Sequence, residues 1–195
     1  MTSLAAWRDD LSVITLSDPQ DEAPAWRKLG WPAEGARHLT GGSATRSDRA
    51  RLAAKLDAAV TGSDRSVLLI ASGLSCFAVG WWAKLSPSDY ARRVAGALLI
   101  APADARADLR ARFAAPRIAM PFSSLVIDAA PHDRDEELQR IAADWGSGLM
   151  RARDRSDVSG GSWRQAQRLF RRFAAAVVDH DVARARALRG LPPAR

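Results

Sequence analysis

Ser66-Val67-Leu68-Leu69-Ile70-Ala71-Ser72-Gly73-Leu74-Ser75-Cys76-Phe77-Ala78 is the stretch that decides how this chain folds. Val67 to Ile70 form an unbroken apolar run of β-branched residues and leucine, the pattern of a central parallel strand covered on both faces. From Leu74 onward the apolar residues follow a helical period. The segment therefore reads as a buried strand that enters a helix through a tight turn at Gly73.

Working outward, Ser12 to Leu16 predicts a first strand, followed by the turn-rich Ser17-Asp18-Pro19-Gln20-Asp21. Trp26, Leu29 and Trp31 predict a short helix closing on Gly30 and Pro32, and Ala36 to Leu39 a second strand. Asp48 is expected to cap a helix whose apolar positions Leu52, Ala53, Leu56, Ala59 and Val60 recur at helical spacing. The helix after Gly73 ends near Leu85 to Pro87. Val94 to Ile100 and Leu125 to Ile127 read as further buried strands, Asp135 through Trp145 as a helix with Leu138, Ile141, Ala142 and Trp145 on one face, and Leu149-Met150 as a final short strand. From Trp163 the positions Ala166, Leu169, Phe170, Phe173, Val177 and Val182 predict one long amphipathic helix over 163–190, stopped by Pro192-Pro193. Strands alternating with helices imply the α/β class: a three-layer α/β/α sandwich on a mostly parallel, doubly wound sheet, in a single domain spanning 1–195.

Composition narrows the function classes. A chain of 195 residues buries roughly 70% of its unfolded surface, and a hydrophobic fraction of 47% with seven Trp supplies the core. No apolar run approaches the roughly 18 residues of a membrane span, and Arg8, Asp9 and Asp10 do not fit a signal peptide. The single cysteine, Cys76, permits no internal disulfide, which makes the cytoplasm the expected location; on an apolar helix it reads as a small core residue. The net charge of +7 comes from arginines spread from Arg8 to Arg195, with Lys28, Lys55 and Lys84 as the lysines. No nucleic-acid-binding motif accompanies that charge, so nucleic acid is not an expected partner. His38, His132 and His180 show no ligand spacing, Gly160-Gly161 lacks the lysine of a phosphate loop, and Gly41-Gly42-Ser43 is a turn before a helix. No metal or cofactor is expected. Trp81, Trp82 and Trp145 read as core.

The turn at Gly73 has a chemical counterpart. A sharp strand-to-helix turn that presents a nucleophile needs a small residue, any residue, the nucleophile, any residue, and a second small residue. Ala71 and Ser75 satisfy the flanks, and Gly73 takes the place of the attacking oxygen. Ser72 and Ser75 stand beside it. Centring the turn on Ser72 puts Ile70 and Leu74 at the flanks, whereas centring it on Ser75 puts Phe77 where a small residue is needed. The backbone N–H of Leu74 is the oxyanion donor that the sequence identifies.

Several segments together resemble the small cofactor-free serine hydrolases related to retinoblastoma-binding protein nine and bacterial YdeN. They are the turn with its trailing Cys76, Val94-Ala95-Gly96-Ala97-Leu98-Leu99-Ile100-Ala101-Pro102, Arg112-Phe113 followed by Met120-Pro121-Phe122-Ser123-Ser124-Leu125-Val126, Asp144-Trp145-Gly146, and Trp26. The similarity spans roughly residues 12 to 173. It implies a small α/β-hydrolase fold without a cap domain. It also implies ester hydrolysis by a serine at the elbow, an aspartate after the strand ending near Ile127, and a histidine after the last strand. Carried over by position, these fall on Gly73, His132 and Asp157, and none keeps the family's residue type. The histidine that usually precedes the nucleophile is Ser72. The oxyanion loop is represented by Asp18-Pro19-Gln20-Asp21, whose proline removes a donor and whose carboxylates repel a developing oxyanion.

Two functional expectations result. One is a non-catalytic relative that binds an ester-like small molecule or a protein, through the cleft at the strand ends or through the C-terminal helix with Arg164, Arg168, Arg171 and Arg172 outward. The alternative is a carboxylic ester hydrolase using Ser72 or Ser75, with His132 as base and Asp157 orienting it.

Overall fold

Every strand that the apolar runs predict is present in the computed structural model, which describes residues 11–19, 36–42, 45–102, 105, 107–114, 118–128 and 135–151. These residues all belong to the compact unit formed by 1–155. The short helix expected around Trp26 to Trp31 and the long helix expected over 163–190 lie outside the described residues. The strands are β1 (Leu11–Ser17), β2 (Arg37–Thr40), β3 (Ser66–Ser72), β4 (Val94–Ile100), β5 (Ser123–Asp128) and β6 (Gly148–Arg151). They form one six-stranded sheet in the order β2-β1-β3-β4-β5-β6, with every neighbouring pair parallel. The fold is thus the α/β class expected, with helices joining the strands of one parallel sheet.

The helices are α1 (Arg46–Thr61), α2 (Leu74–Leu85), α3 (Ser88–Ala91), α4 (Ala107–Arg110) and α5 (Asp135–Trp145), with a 3-10 turn at Ala111–Phe113 after α4. Alternation along the strands sends Ile14, Leu16, Leu39, Val67, Leu69, Ala71, Ala97, Leu99 and Val126 to one face. There they join Leu52, Leu56 and Val60 of α1, Val79 and Trp82 of α2, and Leu138 and Ala142 of α5 in a single core. Each such leucine or valine contributes about 1.5–3 kcal/mol by leaving water. On the opposite face Leu68, Ile70, Leu98 and Ile100 are also buried, which is why β3 and β4 read as continuous apolar runs rather than alternating ones.

One expectation is corrected at α1. The N-cap is Thr45, not Asp48. The Thr45 hydroxyl accepts the Asp48 N–H at 3.0 Å, and the Asp48 carboxylate accepts the Thr45 N–H at 2.9 Å. The acid therefore sits at the third helical position of a capping box, where it also receives Arg51 at 2.5 Å. The Thr45 hydroxyl, then Arg51, then the Thr45 N–H hold the Asp48 carboxyl at about 2, below its ordinary value of 3.8. At the other end of the sheet, Gly146 has φ 63° and turns the chain out of α5. A Cβ there would stand 2.7 Å from that of Ala119, so both backbone and space require glycine.

Candidate functional site

The chain lays down β1, adds β2 on one side of it, and returns to add β3 on the other. In an open parallel sheet the crevice at such a reversal, outside the carboxyl ends of the strands, is where ligands bind. Here that crevice lies at the ends of β1 and β3, between Ser17-Asp18 and Ser72-Gly73.

The turn after β3 keeps a demanding geometry. Gly73 has φ 53° and ψ −124°, a region open to glycine and costly for other residues. Its N–H donates to the Ile100 carbonyl at 3.0 Å, and its own carbonyl accepts the Cys76 N–H at 3.2 Å. Below the turn the Cys76 thiol is fully buried, 3.4 Å from the Ala71 carbonyl and 3.5 Å from that of Ile100. Cys76 is therefore the small core residue expected, and it ties the ends of β3 and β4 to the first turn of α2. Leu74 opens α2 with no side-chain cap from Gly73.

At the corner itself there is no side chain. Ser72 and Ser75, the serines on either side, are 4% and 5% exposed. Asp18 is buried at the end of β1, and Pro19 after it is exposed. His132 and Asp157 lie outside the described residues.

A hydroxyl–imidazole cluster that sequence reasoning missed stands at the same end of the sheet. Thr15 Oγ1 is 2.8 Å from His38 Nδ1, and Ser17 Oγ is 3.1 Å from His38 Nε2. Register explains it: Thr15 pairs with His38 across β1 and β2, and Ser17 follows on the same face. In a neutral ring one nitrogen donates and the other accepts, so both hydroxyls are served. Ser17 is 6% exposed. The cluster fastens β2 to β1. Among the described residues no three His, Cys, Asp or Glu side chains gather as metal ligands, and no helix is long and apolar enough to cross a membrane.

Comparison with known proteins supplies the family. The serine hydrolase family profile matches residues 28–172. The chain belongs to the serine hydrolase family. Among solved structures, one described as a YdeN-like hydrolase from Pectobacterium atrosepticum SCRI1043 matches with a TM-score of 0.65 at 14% identity, covering 89% of this chain and 96% of that one. Another, described as a hydrolase of the alpha/beta superfamily from Xanthomonas campestris pv. campestris, matches with a TM-score of 0.50 at 16% identity over 85% and 98% of the two chains. At these identities the likeness bears on the fold. No curated protein sequence matches. In this chain the β3–α2 turn carries Gly73 at φ 53°, with no side chain at its corner.

Proposed function

We propose that this chain is a serine hydrolase family protein whose elbow no longer attacks, and that it binds an ester-like small molecule in the crevice between the ends of β1 and β3. The observation that carries the reading is Gly73: the turn is retained at φ 53° while the reacting atom is gone. The burial of Ser72 and Ser75 supports it, because a hydroxyl that replaces the nucleophile must reach a bound carbonyl. The crevice keeps the open N-terminus of α2 at its wall, a fitting surface for a carbonyl oxygen.

The test is turnover of short-chain p-nitrophenyl esters together with fluorophosphonate labelling, for wild type, Ser72→Ala and Ser75→Ala. The expected result is no label and no turnover above the variants. Labelling of wild type that disappears in one serine variant would overturn the reading and establish that serine as a displaced nucleophile, with His132 and Asp157 the next residues to change.

A further inference from the structure

The outward face of α2 carries Phe77, Gly80, Trp81 and Lys84 at intervals of three and four residues, a stripe that rises about 10 Å along the helix. Arg110, Phe113 and Ala114 flank the stripe, and Asp144 and Trp145 come from the end of α5. Together they line a groove of 280 Å³, close to the lower end of the roughly 300–1,000 Å³ range of small-molecule sites. This groove lies along the helices and is separate from the crevice at the strand ends.

Its walls are aromatic and mutually braced. Phe77 meets Trp145 edge to face with centroids 5.1 Å apart, and Trp81 meets Phe113 in the same way at 6.1 Å. The floor is low because Gly80 has no side chain: a Cβ there would stand 3.4 Å from Trp145 Nε1 and 3.4 Å from Met120 Cε. The sequence expectation placed both Trp81 and Trp82 in the core. Trp82 is there, 1% exposed and donating to Asp57 at 2.8 Å, but Trp81 is partly exposed and forms a wall of the groove.

The two cations in the groove differ. Arg110 is committed: it pairs with Glu137 and lies 5.7 Å from the Phe77 centroid. Lys84 has three donors and makes one long hydrogen bond, 3.5 Å to the Asp144 carbonyl. Burial pushes the Lys84 ammonium below its ordinary pKa, and the Asp144 charge opposes that shift more weakly, so the cation is under-compensated. Asp144 itself is exposed. The Trp145 indole nitrogen borders the same space.

We propose that this groove binds a small aromatic anion, its ring held among Phe77, Trp81, Phe113 and Trp145 and its acidic group on Lys84. Aromatic walls supply area and edge contacts to a flat ring, and a charge-assisted hydrogen bond to the ammonium orients it. The site is independent of the elbow.

The experiment titrates the full chain with naphthalene-2-sulfonate and with neutral 2-naphthalenemethanol, following indole N–H resonances, with Trp81→Phe used to assign one wall. Saturable binding of the sulfonate is expected, with the Trp81 indole among the shifted resonances and weaker binding of the alcohol. Lys84→Met should weaken the sulfonate about tenfold, Lys84→Arg should restore most of it, and Lys55→Met should leave it unchanged. Gly73→Ser should also leave it unchanged, which separates this site from the reading of the elbow. Failure of wild type to bind the sulfonate, or equal affinity in Lys84→Met, would overturn the proposal.

Discussion

The ends of β3 and β4 stand side by side and meet the same backbone demand with different residues. At the end of β3 the positive φ falls on Gly73; at the end of β4 a φ of 49° falls on Ala101, immediately before Pro102. The strands are bonded there: the Gly73 N–H reaches the Ile100 carbonyl, and the Ala101 N–H reaches that of Ile127 at 2.8 Å. A left-handed alanine costs about 1–2 kcal/mol, and it persists because its neighbours over-determine it. The difference teaches that a positive φ at this edge of the sheet is carried by alanine as well as by glycine. Glycine at residue 73 adopts the positive φ without the strain that Ala101 carries.

The largest change should come from putting a side chain back on the relaxed member of the pair. Gly73→Ser is expected to lower stability by about 1–3 kcal/mol in urea unfolding; a neutral result would make the two turns equivalent and break the comparison. Thr45→Ala, at the far-off cap of α1, should cost about 1 kcal/mol. Measured as a double variant with Gly73→Ser, it should add to within about 0.5 kcal/mol, since the sites share no partner.

Relieving the strained member is a smaller effect. Ala101→Gly should stabilise by less than about 1 kcal/mol, because release of left-handed strain is offset by the chain entropy of glycine. Its combination with Gly73→Ser should be non-additive, because Ile100 lies between them; additivity in that double-variant cycle would show that the turns are independent. The smallest signal is a pH dependence. Asp48 has a folded pKa of about 2, below its ordinary 3.8, so its contribution is present above the unfolded value and is lost as pH falls toward 2. Melting curves between pH 5 and pH 2, about the span of those two values, should show that loss in both turn variants and a reduced loss in Thr45→Ala.

The fold was legible where burial acts on both faces of a strand. Val67 to Ile70 and Val94 to Ile100 announce themselves because every residue must be apolar, and the helical period of Leu52, Leu56, Ala59 and Val60 announces α1. The cap of α1 was misplaced because a threonine and an aspartate three apart share the task, and either alone resembles a cap. At the site, the empty corner at Gly73 could be read from its small flanking residues. The setting of His38 could not, because its partners Thr15 and Ser17 arrive through strand pairing more than 20 residues away. The positive φ of Ala101 leaves no trace in its residue type. Nor does the groove on α2, whose walls come from three separate stretches of chain.

Cys76 gives the elbow a further property. The chain has one thiol, and it lies fully buried beneath the turn, among the carbonyls that join β3 to β4. A thiol-reactive dye meets it only when that junction parts, so the rate of its reaction is a clock for the opening of this one part of the molecule. A single buried sulfur thus turns the junction of β3, β4 and α2 into a site whose opening can be timed without any added label in the folded state.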